Sequence, residues 1–291
     1  MPKPKQIVIL GHSGFIGSHL ERLLSKSANW NVVGRSLPDI DLTNQEHASR
    51  LTPFLVPEST LVLVAAVKRQ FGDTLEAFRQ NMAIVENICR LLETHPVKRV
   101  IFMSSSAVYG EETENTRISE QTPVNPTSYY GINKYAAERL LRKACTTNQL
   151  TSLVCLRPPL VYGPDDQART YGPSGFSVAA LEGAPITLWG DGTELREFIY
   201  IDDLCRLIEF FADNEFEGEL NVVSGTPYCF ADVITALKKK LPDLEVNTRS
   251  RSRQKANNAF DASRIKSLLP ANFRFTSLEE GLARILDRSK C

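Results

Sequence analysis

Three side chains that could carry proton and hydride chemistry lie in two short segments of the chain. Tyr130 and Lys134 stand four residues apart in TSYYGINKYAAERLL, and Ser105 lies 25 residues before Tyr130 in FMSSSAVYG. On a helix, this spacing places a phenol and an ammonium group on the same face. The ammonium favours the phenolate and lowers the phenol pKa from about 10. The tyrosine could then exchange a proton with a substrate hydroxyl or ketone near neutral pH, with the Ser105 hydroxyl bonded to the same oxygen.

A doubly wound parallel α/β sheet is the scaffold that the sequence predicts for these residues. Short aliphatic runs alternate with segments of helical periodicity in the first half. Predicted strands are residues 6–10, 31–34, 61–66, 99–105 and 152–157. One helix is predicted from about Phe15, and another from about Ser128 to Cys145. Between the third and fourth strands, apolar residues recur at helical spacing: Leu75, Phe78, Met82, Val85 and Ile88. Continuous apolar strands separated by helices predict a sheet covered on both faces.

A glycine-rich turn follows the first predicted strand. GHSGFIG places Gly11, Gly14 and Gly17 between that strand and the first helix. Glycines at these positions permit a tight turn, close approach of a pyrophosphate and close packing of helix on strand. The strand–turn–helix context is the one that dinucleotide binding requires. We therefore predict a dinucleotide cofactor.

The end of the second strand bears on which dinucleotide is bound. NAD-binding proteins usually place an acidic residue there for the ribose 2′-hydroxyl. Here the strand ends in Arg35-Ser36, and a guanidinium suits a 2′-phosphate. Asp39 and Asp41 follow closely, so NAD(H) remains an alternative. The sequence favours NADP(H).

The pattern of the chain changes after residue 158. LRPPLVYGPDDQARTYGPSG is rich in Pro and Gly and is predicted to be a loop. Later strands are predicted to be short, in ITLW, FIYI and ELNVVS. We therefore predict an NAD(P)-binding domain over residues 1–158. A smaller α/β substrate-binding lobe would cover residues 159–291, with some segments returning to the first sheet.

Composition excludes several classes of function. Lys and Arg together number 34, as do Asp and Glu, so no net field attracts nucleic acid or an anionic membrane. The apolar run near the N-terminus is too short for a signal or a membrane span, which predicts a cytoplasmic protein. The six cysteines form no C-x-x-C pair, and the four histidines all lie in the first third. The pattern therefore predicts neither a metal site nor a histidine-based triad.

Taken together, these motifs resemble those of the extended short-chain dehydrogenases/reductases that act on nucleotide sugars. The resemblance rests on GHSGFIG, Asp41-Leu42, Ala65-Ala66, Asn81, SSSAVYG, the Y-x-x-x-K pair, LRPPLVYGP, GDGTELREFIYIDDL and NVVSG. It implies a Rossmann fold with a C-terminal substrate lobe, and a nucleotide-diphosphate sugar as substrate. It also implies a homodimer, formed through the helix that bears Tyr130 and the long helix before it.

The resemblance implies a role for individual residues. Ser105, Tyr130 and Lys134 would be catalytic, and Lys134 would also hold the nicotinamide ribose. The implied cofactor-binding set is Gly11, Ser13, Gly14, Phe15, Ile16, Gly17, Arg35, Ser36, Asp41, Leu42, Ala65, Ala66, Val67, Tyr130, Lys134 and Pro158. Ser106 and Arg196 would bind substrate, Arg196 through its diphosphate. A second arginine would come from Arg249, Arg251 or Arg253, and Arg253 is taken as the site residue.

Departures from the family pattern narrow the reaction. The 4,6-dehydratases that this chain resembles carry Asp-Glu directly after the active-site Ser or Thr, whereas this chain has Ser106 and Ala107. The 3,5-epimerising reductases rely on a Cys where Ala107 stands and on a later His, and no histidine follows His95. UDP-galactose-type 4-epimerases usually place Asn at the position of Leu160.

Two reactions need only the Ser-Tyr-Lys set. One is reduction of a 4-keto nucleotide sugar by NADPH, and the other is 4-epimerisation with tightly bound NAD. Arg35-Ser36 and the segment LRPPLVYGP, which is similar to that of UDP-sugar 4-ketoreductases, favour the reductase. A non-catalytic dinucleotide sensor is an alternative of another class, but such relatives typically lose the Tyr or Lys that this chain retains.

Overall fold

The computed structural model describes residues 3–67, 72–112, 114–148, 150–166, 172–251 and 254–288. The chain divides into two compact units. Unit 1 comprises Met1–Val108, Val124–Arg157 and Cys205–Leu220. Unit 2 comprises Tyr109–Pro123, Pro158–Leu204 and Asn221–Cys291.

Helices and strands alternate along the chain. In the first half they are β1 (Lys5–Leu10), α1 (Phe15–Leu24), β2 (Trp30–Arg35), α2 (Gln45–Ser49), β3 (Thr60–Leu63), α3 (Leu75–Thr94), β4 (Arg99–Met103), β5 (Asn115–Ile118), α4 (Tyr129–Asn148) and β6 (Ser152–Arg157). In the second half they are β7 (Leu160–Tyr162), α5 (Gly172–Leu181), β8 (Ile186–Trp189), β9 (Leu195–Arg196), β10 (Phe198–Tyr200), α6 (Ile201–Asp213), β11 (Gly218–Asn221), β12 (Tyr228–Cys229), α7 (Phe230–Lys238), β13 (Val246–Arg249), β14 (Asn258–Phe260), α8 (Ser263–Leu268) and α9 (Leu278–Arg288). Short 3-10 turns occupy Thr52–Phe54 and Ser106–Tyr109.

Unit 1 is built on a six-stranded sheet in the order β11-β6-β4-β3-β1-β2. The pairings of β1 with β2 and β3, of β3 with β4, and of β4 with β6 are parallel. This confirms the predicted α/β class with a parallel sheet. The strand order reverses between β1 and β3, which is where open sheets of this type bind ligands at the carboxyl ends of their strands.

The inner strands of this sheet are buried on both faces, as their continuous apolar runs predict. Val8, Leu61 and Val100, on β1, β3 and β4, are fully excluded from solvent. On one face α3 and α4 pack against each other, and their inner residues Ile88 and Leu141 belong to the same core cluster. The core therefore fixes α4, the helix that carries Tyr130 and Lys134, onto the sheet.

Unit 2 has smaller, two-stranded sheets. They pair β7 with β10, β9 with β12, β8 with β13, and β5 with β14. The prediction of a loop after residue 158 is wrong in part, because the segment contains β7 and the start of α5. Leu160 pairs with Phe198, 38 positions away, and only this distant partner makes a strand of a three-residue run between Pro and Gly.

Two classes of feature are not found in the described part of the chain. None of its helices is both long and apolar enough to cross a membrane. Its His, Cys, Asp and Glu side chains form no group of three or more that could hold a metal ion.

Candidate active site

The turn between β1 and α1 packs closely against its neighbours because its key positions are glycines. Gly11 adopts a φ of +92°, and a Cβ there would lie 2.7 Å from the backbone nitrogen of Ala65. A Cβ on Gly17 would collide with the carbonyl oxygen of Gly11. Gly14 is the N-cap of α1 and has no side chain to cap it, and the first turn contains no acidic residue. The loop and helix terminus thus fit a pyrophosphate group.

The end of β2 lies beside this loop. The Ser36 hydroxyl donates a hydrogen bond to the Ser13 hydroxyl at 2.8 Å, which ties the glycine loop to β2. The guanidinium of Arg35 lies 4.2 Å from the centre of the Phe54 ring and donates to the carbonyl oxygen of Gly34. This stacking holds a positive charge at the position where the adenosine ribose of a dinucleotide lies in Rossmann folds.

Two further predicted cofactor segments are fixed by local hydrogen bonds. The Asp41 carboxylate accepts from the backbone N–H and the hydroxyl of Thr43, and these bonds lower the pKa of Asp41. After β3, the side chain of Asn81 on α3 accepts from the N–H of Val67 at 2.7 Å and donates to its carbonyl oxygen at 3.1 Å. Asn81 therefore anchors the Ala65–Val67 segment at the switch point of the sheet.

The three consecutive serines after β4 have different surroundings. Ser104 is buried, and its hydroxyl donates to the Glu138 carboxylate at 2.5 Å. Ser105 and Ser106 are partly exposed. The Ser105 hydroxyl accepts from the N–H of Ala107 at 3.1 Å, which fixes the turn. The Ser104 hydroxyl is therefore buried and already hydrogen-bonded, whereas Ser105 lies at the accessible carboxyl end of β4.

Gly131 permits α4 to approach the serine turn. A Cβ at this position would lie 2.6 Å from the carbonyl oxygen of Ala107 and 3.0 Å from the Cβ of Pro126. The backbone N–H of Tyr130, the preceding residue, donates a hydrogen bond to the carboxylate of Asp73 at 2.9 Å, and Asp73 lies 57 positions earlier in the chain. The start of α4 is therefore held between the serine turn and Asp73.

Lys134 is buried beside Tyr130. Its Nζ donates to the carbonyl oxygen of Met103 at 2.6 Å, and it lies 5.5 Å from the centre of the Tyr130 ring and 4.9 Å from that of Phe102. Burial lowers the pKa of Lys134 to about 8, while the charge of Glu138 opposes this shift. The arrangement places an ammonium against the Tyr130 ring, as the four-residue spacing predicts.

Two of the arginines considered for substrate binding, Arg196 and Arg251, form a charged cluster in unit 2. The Glu194 carboxylate accepts from Arg196 at 2.9 Å and from Arg251 at 2.9 Å, so it bridges two arginines. Arg196 also donates to the carbonyl oxygen of Leu195. Arg253 lies outside the described residues.

A cavity of about 290 Å³ lies elsewhere in unit 2. Trp189 on β8 and Arg249 on β13 are register partners at its wall. The other lining residues are Gly175, Phe176, Ala179, Pro185, Ile186 and Thr187. An exposed indole beside a guanidinium offers one stacking surface and one set of donors to a flat polar ligand.

Four residues that help build the site were not singled out from the sequence. They are Asp73, Gly131, Glu138 and Arg157. Glu138 carried a usable signal, because it follows Lys134 by four residues and so extends the same helix face. The other three act through contacts with segments distant in sequence, which spacing alone does not reveal.

Comparison with known proteins identifies the family. The model of the NAD dependent epimerase/dehydratase family matches residues 7–223. Putative GDP-L-fucose synthase 2 of Arabidopsis thaliana is 26% identical over 263 residues, which cover 82% of this chain and 77% of that protein. The uncharacterized UDP-glucose epimerase YtcB of Bacillus subtilis is 25% identical, over 95% of each chain.

Solved structures show the same fold. UDP-glucose 4-epimerase of Thermotoga maritima, with UDP-glucose, has a TM-score of 0.85 at 23% identity and covers 98% of each chain. MoeE5, in complex with UDP-glucuronic acid and NAD, has a TM-score of 0.84 at 27% identity and covers 98% of this chain and 99% of its own. Because the family model spans well over half of the sequence, this protein belongs to the NAD dependent epimerase/dehydratase family, whose members are NAD(P)-dependent epimerases, dehydratases and reductases of nucleotide sugars.

Proposed function

We propose that this protein reduces a 4-keto nucleotide sugar with NADPH. One observation carries the proposal: a buried ammonium lies against the Tyr130 ring, while the two positions after Ser105 are held by Ser106 and Ala107. Neither of those side chains is an acid or base that could remove a proton from a sugar carbon. The site is therefore equipped for redox chemistry at one carbon.

Each side chain of the site has its own role in this reaction. A bound nicotinamide supplies the hydride that reaches the carbonyl carbon. Tyr130 delivers a proton to the carbonyl oxygen as negative charge develops there, and the Ser105 hydroxyl donates a hydrogen bond to the same oxygen. Lys134 favours the phenolate that remains on Tyr130 after the transfer. The adjacent Phe102 ring keeps water from the ammonium and so strengthens its effect.

The preference for NADPH is supported by the end of β2. The stacked Arg35 guanidinium presents a fork of donors that matches the oxygens of a 2′-phosphate. The Ser13 hydroxyl, which accepts a hydrogen bond from Ser36 beside it, adds a further donor. The NAD in the related structure of MoeE5 favours the alternative cofactor, NAD(H).

The nucleotide part of the substrate fits two features of unit 2. A base would stack on Trp189 in the cavity and accept hydrogen bonds from Arg249. A diphosphate would be bound by Arg196 together with Arg251, which Glu194 holds as a pair. Arg251 is thus favoured among the three arginines considered, and Arg253 remains a prediction.

Nucleotide-sugar 4-epimerisation with tightly bound NAD is the second candidate. It needs the same Ser105, Tyr130 and Lys134, and both UDP-glucose 4-epimerase of Thermotoga maritima and YtcB carry epimerase names. Leu160, at the start of β7, counts against it, because an apolar side chain replaces the amide usual in such enzymes.

We also propose that the protein is a homodimer. Leu75 on α3, and Tyr129, Ile132 and Leu140 on α4, are exposed large apolar residues on two helices that pack side by side. An apolar surface of this kind is costly to leave in water and is typical of protein–protein interfaces. A second copy of the same helix pair would cover it.

The reductase proposal is tested with purified protein, NADPH and a panel of 4-keto sugars linked to UDP, GDP, dTDP or CDP. We expect stoichiometric loss of NADPH absorbance with one or more of them, and loss of this activity in Tyr130→Phe. Tyr135→Phe is the matched control, because Tyr135 lies on the same helix and is exposed. Release of tightly held NAD(H) on denaturation, with no net NADPH oxidation, would instead establish the epimerase.

A further inference from the structure

A buried ion pair lies directly behind the candidate catalytic residues. Glu138 is fully excluded from solvent, and Arg157 is 4% exposed. The Arg157 Nε donates to one carboxylate oxygen of Glu138 at 2.8 Å, and its Nη2 donates to the other at 2.6 Å. This paired, two-point contact fixes the relative position of α4 and the end of β6.

The same carboxylate reaches the serine turn. Glu138 accepts the hydroxyl of Ser104, the residue directly before Ser105. Ser104 is further held by its backbone N–H, which donates to the carbonyl oxygen of Leu156 on β6 at 2.8 Å. Glu138 therefore joins three segments: the serine turn after β4, the helix that carries Tyr130 and Lys134, and the end of β6.

The charges of this cluster do not cancel. Lys134 and Arg157 are both positive, and Glu138 is the negative group between them, one helical turn from Lys134. Nearby Cys155 adds no charge, because burial raises the pKa of its thiol well above its ordinary value. Tyr130 on the same helix is the ionisable ring beside Lys134. On β11, Glu219 faces Arg157 and forms an ion pair with Arg142. Arg157 contacts both carboxylate oxygens of Glu138, so its positive charge opposes the effect of Glu138 on Lys134.

An ion pair in such a place is a weak source of stability. Desolvation of two charges offsets most of their attraction, and apolar residues of similar volume often serve as well or better. A buried pair retained beside a reactive lysine is better explained by what it does to that lysine and to the serine turn.

We infer that Glu138 is a positioning residue for this active site: it sets Ser105 through Ser104 and keeps Lys134 protonated, and Arg157 determines how much of its charge Lys134 feels. The inference rests on the proposed function only for its effect on turnover. Its effect on Lys134 is a property of the protein itself and is measurable without any substrate.

The first test follows the proton of Lys134 by the ¹³Cε resonance that disappears in Lys134→Met. Glu138→Gln removes the stabilising charge, so we expect Lys134 to lose its proton about one pH unit lower than in the wild type. Arg157→Gln frees the Glu138 charge, and we expect a shift of similar size upward. Arg139→Gln is the matched control, since Arg139 lies on α4 but is exposed to solvent, and it should leave the titration unchanged.

The direction of the Glu138→Gln shift separates positioning from a purely structural role. Loosened packing would admit water to Lys134 and move its titration upward, toward that of an ordinary lysine. An upward shift or no shift in Glu138→Gln therefore overturns the inference. This result is obtained whether or not a 4-keto nucleotide sugar proves to be the substrate.

A second variant covers the case in which Glu138→Gln does not fold. Glu138→Leu combined with Arg157→Met replaces the pair by apolar side chains and removes both buried charges together. We expect a melting temperature close to that of the wild type, but a kcat at least about tenfold lower with the responsive 4-keto sugar. A folded double variant with wild-type kcat would show that the pair only fills space. If no sugar in the panel reacts, the proposed reaction fails, and the Lys134 titration of Arg157→Gln decides the inference: an unchanged value or a downward shift overturns it.

Discussion

Lys134 and Met103 are joined by a 2.6 Å hydrogen bond from the lysine ammonium to the backbone carbonyl oxygen at the end of β4. Met103 stands two residues before Ser105, so this bond links the helix of Tyr130 to the strand that presents the serine. The ammonium is buried to make it, and burial lowers the pKa of Lys134 to about 8. Burial of this charged group lowers the stability of the folded protein.

Replacing Lys134 should stabilise the protein at neutral pH. The unfolded chain keeps the Lys134 proton up to its ordinary pKa of 10.5, whereas the folded protein releases it at about 8. Above pH 10.5 Lys134 is neutral in both states and its burial carries no charge-related cost. As pH falls toward 8 this cost to the free energy of unfolding grows, and at pH 7 it is fully present. We expect Lys134→Met to raise the free energy of unfolding at pH 7 by about 2 kcal/mol, after loss of the bond to Met103.

This gain should shrink to near zero by about pH 10, because the wild-type lysine is then mostly neutral in the folded state. Urea unfolding of the wild type and of Lys134→Met at pH 7 and at pH 10 measures this change in the free energy of unfolding. Lys143→Met is the control, since Lys143 lies on the same helix but is exposed. Its effect should stay within about 0.5 kcal/mol at both pH values. An equal gain from Lys134→Met at pH 7 and pH 10 would contradict the argument.

The sequence predicts where Ser105, Tyr130 and Lys134 lie in the fold, because helix geometry and strand ends are local properties. A four-residue spacing defines one helix face, and the apolar run before Ser105 defines a strand, without knowledge of any other segment. Glu138 could have been included by the same argument. Arg157 and Asp73 could not, because their partners, Glu138 and Tyr130, lie 19 and 57 positions away along the chain.

Gly11 should tolerate no side chain. Its φ of +92° is unfavourable for an L-residue, and a Cβ would lie 2.7 Å from Ala65 backbone nitrogen. We expect Gly11→Ala to lower the free energy of unfolding by about 3 kcal/mol and to abolish dinucleotide binding. Gly183→Ala separates the two causes, because Gly183 also has a positive φ, of +67°, but open space around it. It should cost only about 1 kcal/mol in urea unfolding and leave the thermal shift by NADPH intact. Equal costs would mean that conformation alone, and not the close approach, matters at Gly11.

Arg35 should decide between the two dinucleotides. Loss of a charged, two-point contact to a 2′-phosphate corresponds to about 1.5–3 kcal/mol, so we expect Arg35→Ser to weaken NADPH binding about tenfold to a hundredfold. NADH, which lacks that phosphate, should bind within about twofold of its wild-type affinity, as measured by titration calorimetry. Arg50→Ser removes an exposed arginine of the same unit and serves as the control for net charge. Similar losses for NADPH and NADH in Arg35→Ser would contradict a 2′-phosphate site.

The exposed apolar residues of α3 and α4 should hold two copies together. Ile132 is 43% exposed on α4, and a carboxylate placed there would be buried without a partner in a dimer. We expect Ile132→Asp to be a folded monomer by light scattering coupled to size exclusion, where the wild type is a dimer. Leu181→Asp, on α5 of the other unit, changes a residue of similar exposure and should leave the dimer intact. A monomeric wild type, or a dimeric Ile132→Asp, would exclude this surface.

Trp189 should report nucleotide binding directly. The chain has two tryptophans, and Trp30 is 7% exposed whereas Trp189 is 51% exposed at the wall of the unit 2 cavity. A base that stacks on the indole should quench the fluorescence of Trp189, so titration with UDP and GDP yields the affinity for each. We expect Trp189→Ala to weaken the tighter nucleotide about fivefold to a hundredfold, the range of one base–aromatic stack.

Trp189→Phe is the matched variant, because it keeps an aromatic face in the cavity while it removes the fluorescence signal. Calorimetry should therefore give it an affinity within about fivefold of the wild type. Arg249→Gln tests the hydrogen-bonding side of the same cavity, and we expect it to change the ratio of UDP to GDP affinity, since the two bases present different acceptors to a guanidinium. Quenching that persists unchanged with ribose 5-phosphate would place the ligand's phosphate, and not its base, against the indole.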